Sequence, residues 1–168
     1  MKKILISICA ILIIFSQAAS AQIPDYLDED RTILLSGMHA GTAWYIDKNS
    51  VEVLKEDRPN YQIAVKVLTV RYDFFSGEIQ KVVGEKINKY LYQKDAKKMY
   101  RWENENWQYI PPVGSLAETG NDAIGEMTFY IAYDEKFYGG QKWLYEKTGE
   151  WKSPNFGENI YKIVDESN

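Results

Sequence analysis

The chain has 168 residues, a net charge of −4, a single histidine and a single cysteine. That cysteine, Cys9, lies in an N-terminal apolar run, so the remainder has no thiol, which excludes disulfides, cysteine nucleophiles and thiolate metal sites. Acidic and basic residues are interspersed without a basic stripe, so neither nucleic acid nor an anionic membrane surface is an expected partner.

Taken in chain order, the first segment reads as an export signal. Lys2 and Lys3 precede the apolar run from Ile4 to Phe15, and the small residues of SQAASA follow. Positive, apolar and small-residue regions in this order make a secretory signal peptide, with cleavage expected after Ala21. The run is shorter than the roughly 20 residues that span a bilayer, so no stable membrane span is expected after cleavage. The expected organisation is a signal peptide over 1–21 and one secreted domain over 22–168, placed in the periplasm, at the cell surface or outside the cell. Losing two lysines takes the net charge from −4 to −6. A chain of about 150 residues buries enough surface for one core without covalent staples.

Residues 22–31 form an acidic, extended lead-in. TILLSG reads as a short strand ended by Gly37, and TAWYIDK as a second. Asp47, Lys48, Asn49 and Ser50 then read as a turn, because short polar side chains bond to nearby backbone. A catalytic reading of the Asp/Ser pair lacks a patterned base, since His39 is the only histidine. VEVLKED alternates as a strand and EDRPN as a turn. NYQIAVKVLTVRYDFF is the strongest strand. Tyr61, Ile63, Val65 and Val67 share one parity and Leu68, Val70 and Tyr72 the other, which implies a bulge near 66–69 or burial of both faces. Ser76–Gly77 marks a hairpin turn. The return run to Gln93 reads as strand more than helix, with Gly84 as a bulge or break.

KMYRW and WQYI flank ENEN as a hairpin, and Pro111 and Pro112 stop it. The segment 113–122 reads as a loop. Thr119 and Asp122 form a capping pair for one helix, with Ile124, Met127, Ile131 and Phe137 on its apolar face and Gly139–Gly140 at its end. Glu126 reads as a helix-dipole partner near the helix start. KWLYEKTGEWKS gives a further hairpin, and ENIYKIVDES a last strand or a frayed tail. The sum is an α+β domain: a curved antiparallel sheet of about six or seven strands, approaching a partial barrel, with one helix from the C-terminal half packed on it.

The residues Trp44, Asp47 and Ser50, in W-x-x-D-x-x-S spacing, together with the later KKMYRW hairpin and GEMTFYIAYDEKFYG, carry a resemblance. The chain resembles uncharacterised small secreted bacterial proteins, and is more distantly similar to the surface-adhesin E-like group. That resemblance implies a small secreted sheet-plus-helix protein and no particular chemistry.

No phosphate-binding glycine loop, calcium-loop spacing or nucleophile–base pattern is present, and no cofactor or metal is expected. With 13 Tyr, 5 Trp and 6 Phe, the chain is rich in rings that fill half-buried pleated surfaces. The leading expectation is a non-enzymatic extracytoplasmic protein that binds an envelope or host partner. Tyr100, Trp102, Trp107 and Tyr109 form its contact face, and a homodimer through a sheet edge is one possible assembly. The alternatives are a small-ligand-binding envelope protein with a barrel-like pocket, and a carboxylate-based hydrolase.

Overall fold

The computed structural model describes residues 23–115 and 122–168. The expected signal peptide over 1–21 and Thr119 of the expected capping pair lie outside the described residues. Six strands follow one another as an antiparallel meander: β1 (Ile33–His39), β2 (Thr42–Asp57), β3 (Asn60–Tyr72), β4 (Ile79–Gln93), β5 (Lys98–Glu103) and β6 (Asn106–Ile110). The sheet curls into a half-barrel. Two helices, α1 (Asp122–Tyr133) and α2 (Asn159–Glu166), are separated by a small hairpin of β7 (Trp143–Tyr145) and β8 (Glu150–Lys152).

The strand alternation decides what the half-barrel encloses. Tyr61, Ile63, Val65 and Val67 of β3 point to the same side as Tyr90 and Tyr92 of β4. On that side they bury against Ile124, Met127 and Phe129 of α1 and against Ile160, Ile163 and Val164 of α2. The opposite parity is also buried at one end. There Val70 and Tyr72 meet Ala43, Tyr45 and the lead-in residues Ile23 and Leu27. Burial on both faces therefore explains the parity change within β3. The accompanying bulge lies on the partner strand, where Thr69 pairs with Gly84 and Val70 with Val82, leaving Val83 unmatched. Both buried clusters are built wholly from residues 23 onward.

Several expectations are corrected. Gly37 does not end β1, which runs to His39 and shifts register between Leu35 and Gly37. Asp47–Ser50 is not a turn between strands but a bulge inside the continuous β2, since Asp47 pairs with Lys66 and Glu52 with Ala64. The turn chemistry is still used locally. The Asp47 carboxylate accepts Asn49 N–H at 3.1 Å, and Ser50 Oγ donates to the Asp47 carbonyl at 2.6 Å while accepting Lys66 N–H at 2.8 Å. Helix α1 ends at Tyr133, where Asp134 adopts φ 53° and closes on the Tyr130 carbonyl at 2.7 Å. Phe137 and Gly139–Gly140 thus belong to the segment after the helix. The chain's end is neither strand nor tail: Ile160, Tyr161, Ile163 and Val164 form the buried stripe of α2.

Glu126 is fully buried and is not a dipole partner. Its carboxylate accepts N–H groups of Phe137 (2.7 Å), Tyr138 (2.8 Å) and Gly139 (3.3 Å), and the Tyr161 hydroxyl at 2.7 Å. Burial pushes its pKa up, opposed by the Tyr138 N–H, the Tyr161 hydroxyl and the Gly139 and Phe137 N–H groups. All four of these partners donate, which is the environment of a carboxylate rather than an acid. The same segment reaches the sheet: the Tyr138 hydroxyl donates to the Ile110 carbonyl at 2.7 Å and accepts Met99 N–H at 2.8 Å. Met99 and Ile110 face each other across β5 and β6, so that hydroxyl is inserted into the hairpin's own ladder.

Glu126→Ala, which orphans four donors, is expected to lower the unfolding free energy by at least about 3 kcal/mol in a urea titration. A Cβ at Gly139 would fall 1.8 Å from the Tyr161 hydroxyl oxygen. Gly139→Ala is therefore expected to be strongly destabilising. Because both changes act on one contact, the Gly139→Ala/Tyr161→Phe double variant should lose less stability than the two single losses together.

Candidate functional site

The β5–β6 hairpin turns through Asn104 (φ 50°) and Glu105 (φ 60°), the left-handed pair that a two-residue loop between twisted strands requires. In register, Tyr100 faces Tyr109 and Trp102 faces Trp107, and directly opposed residues project from the same face. The four sequence-predicted rings therefore lie together. Tyr100 and Tyr109 have centroids 5.5 Å apart, and Trp102 and Trp107 5.1 Å apart with planes at 66°. The alternate residues Met99 and Ile110 enter the core, so the four rings lie on the other face of the hairpin, although the Tyr109 hydroxyl still lies near that of the core residue Tyr138. Trp102 is 43% and Tyr109 47% exposed, while Tyr100 and Trp107 are half-buried. β6 is the last strand of the meander, so its outer edge faces no further strand of the sheet.

Beyond Tyr109 the ring surface continues. Pro111 and Pro112 end β6, and with Tyr109 they form one wall of an open groove of about 620 Å³. Trp143, Tyr145 and Trp151 from the β7–β8 hairpin form the other. Trp143 is anchored by its indole N–H on the Tyr138 carbonyl at 3.1 Å, and Lys152 Nζ lies 4.8 Å from the centre of the Tyr145 ring. Trp151, 65% exposed, is left facing solvent. The segment that Glu126 fixes thus holds both walls, through Tyr138 on one side and Trp143 on the other.

A second cleft of about 590 Å³ opens between the end of β1, the start of α1 and residues 155–157. Its walls include Met38, Trp44, Ile124, Phe156 and Ile160, with Asp122 at the helix start. Asp122 Oδ1 accepts Ala123 N–H at 2.9 Å, while Oδ2 is buried with no partner among the described residues. Burial, with Glu126 adding to it, pushes the Asp122 carboxyl up to about 7. The half-barrel interior itself is filled by α1, α2 and Phe137–Tyr138, so both clefts lie outside it.

The residues of the W-x-x-D-x-x-S motif do not converge. Trp44 is half-buried and lines the second cleft. Asp47 pairs with Lys66 at 2.9 Å, and Ser50 closes the β2 bulge. No cluster of three or more metal-ligating side chains occurs among the described residues. Asp122 and Glu126, one helical turn apart, are the buried carboxylates of α1, and the sequence signal for them was available. They are the only charged residues of an otherwise apolar twelve-residue helix, and a carboxylate inside such a helix demands donors. No protein-family model, curated protein or solved structure matches the chain.

Asp122 gives the fold a pH dependence of definite sign. Its native pKa, about 7, lies above the ordinary aspartate value of 3.8, so the native state holds a proton that the unfolded chain releases. Stability from this group is complete below the unfolded pKa and is lost as pH rises through about 7. Denaturation midpoints measured from about pH 4 to about pH 7.5 should therefore fall with rising pH, and Asp122→Asn should flatten that decline.

Proposed function

We propose that this is a non-enzymatic extracytoplasmic binding protein that engages an envelope or host protein through the face of Tyr100, Trp102, Trp107 and Tyr109. The observation that carries the reading is the outward placement of these rings on the edge hairpin. Two cross-strand pairs, continued by Trp143, Tyr145 and Trp151 along a groove, leave large apolar area in water. Rings of this kind supply most contact energy where proteins meet, and contiguous exposed apolar side chains mark interaction surfaces. The signal-like pattern of residues 1–21 supports export. The free edge of β6 supports strand addition, by a partner or a second copy, as the way in which the backbone would contribute.

A second reading rests on a different observation. The apolar cleft beside Asp122 has the size and character of a small-molecule site, which supports a small-ligand-binding envelope protein.

Capture of a partner from envelope extract by the purified protein separates these readings. The Trp102→Ala/Trp107→Ala variant should stay folded at reduced stability, losing about 1 kcal/mol of ring–ring contact in addition to the rings' burial, and should lose the captured partner. A folded variant that still captures the same partner would show that the rings serve only the hairpin.

A further inference from the structure

At the end of the sheet remote from the ring hairpin, the β3–β4 turn presents two adjacent phenylalanines to solvent. Phe74 is 66% and Phe75 88% exposed, and their rings stand edge to face at 5.7 Å. The turn beneath them is tightly bonded. The Asp73 carboxylate accepts Phe75 N–H at 3.0 Å and Ser76 N–H at 2.8 Å, Gly77 N–H bonds the Asp73 carbonyl at 2.8 Å, and Asp73 N–H bonds the Glu78 carbonyl at 2.9 Å. Tyr72 N–H bonds the Gly41 carbonyl at 3.2 Å, tying this turn to the β1–β2 turn beside it. The rings are thus held outward by a bonded turn, at a hydrophobic cost that neither buried cluster offsets.

Directly behind the tip, the register places His39 opposite Thr42, Thr42 opposite Arg71, and Arg71 opposite Lys81. Opposed residues share a face, so these four side chains form one row across four strands. Arg71 donates to the Thr42 hydroxyl at 3.0 Å. Neither Arg71 nor Lys81 forms an ion pair among the described residues. Like charges directly opposed across strands are unfavourable, and an anion laid along the row relieves them. Of the acids at this end, Asp73 is turned back onto the tip's own N–H groups, Glu78 closes the turn opposite Asp73, and Asp25 and Asp28 of the lead-in lie near Tyr45.

We propose that this end of the sheet docks on a phospholipid surface, with Phe74 and Phe75 set below the headgroups and Arg71 and Lys81 paired with lipid phosphates. Arg71 is the penultimate residue of β3 and Phe74 lies in the turn that follows it, so the cationic row stands directly behind the rings. Peripheral elements enter the headgroup–acyl boundary by about 5–10 Å, which takes in the side chains of a turn and leaves the row behind it at the headgroups. A convex tip has no walls with which to enclose a partner's side chain. Two rings projecting beyond a cationic row do match the apolar-below, anionic-above order of a bilayer. The negative net charge of the whole chain does not describe this row.

The test is flotation of the chain from Ile23 onward, which holds every residue of both buried clusters. Two vesicle types are used: equal parts phosphatidylcholine and phosphatidylglycerol, and phosphatidylcholine alone. Circular dichroism and thermal unfolding check each variant's fold. The wild type is expected to float with the mixed vesicles, more weakly with pure phosphatidylcholine and less as salt rises. Phe74→Ser/Phe75→Ser should reduce binding at least about tenfold, and Arg71→Gln/Lys81→Gln about tenfold on the mixed vesicles. Three results would overturn the proposal: no flotation of the wild type, as expected if the tip serves a protein partner; equal binding to both vesicle types; or undiminished binding by the folded phenylalanine variant.

Discussion

One buried carboxylate organises the half of the molecule that follows the meander. Glu126 accepts three successive backbone N–H groups from the segment after its own helix and a hydroxyl from α2. Burying such a charge is costly, and only a full set of donors makes it tolerable. The donors come from both sides of the β7–β8 hairpin in sequence, so satisfying the charge requires α1, the 137–139 segment and α2 to meet at one point. The helices could bury their apolar stripes on the sheet in more than one way. The carboxylate selects the arrangement in which all four donors converge.

The aromatic residues divide into two populations with different work. Tyr92, Phe129, Phe137 and Tyr138 pack with ring centroids about 5 Å apart in the core. Their hydroxyls are still used, since Tyr92 donates to the Gly125 carbonyl at 2.8 Å and Tyr138 spans Met99 and Ile110. Tyr100, Trp102, Trp107, Tyr109 and Trp151 instead stand at the surface. Tyr138 joins the two populations, because its backbone binds Glu126 while its hydroxyl fixes the hairpin that displays the outer rings. The display is therefore stiffened from inside the core.

Much of the sheet was legible because period-two alternation survives in β3, β5 and β6. The grouping of the four hairpin rings followed from their spacing around ENEN. The misreadings share a cause: local chemistry was read without its partners. Asp47, Asn49 and Ser50 have turn chemistry and use it, but in a bulge, because β3 continues alongside and supplies Lys66 N–H. Gly139–Gly140 looked like a helix end, yet Asp134 takes the left-handed conformation five residues earlier. At eight residues, α2 is too short for a helical period to stand out from alternation. The clefts were not readable at all, since residues as distant as Met38, Asp122 and Phe156 meet only through the tertiary fold.

β5 pairs with β4 only over Tyr90–Gln93, so the outer side of residues 79–89 borders no strand among the described residues. That margin also carries exposed Val82, Val83 and Ile87, a combination that invites edge-to-edge pairing of copies. Lys81, Lys86 and Lys89 punctuate the same run, and the unmatched Val83 breaks its flatness. Two such margins brought side by side would juxtapose ammonium groups across a kinked seam. The long strand thus carries its own deterrent to fibre growth, which the shorter margin of β6 does without.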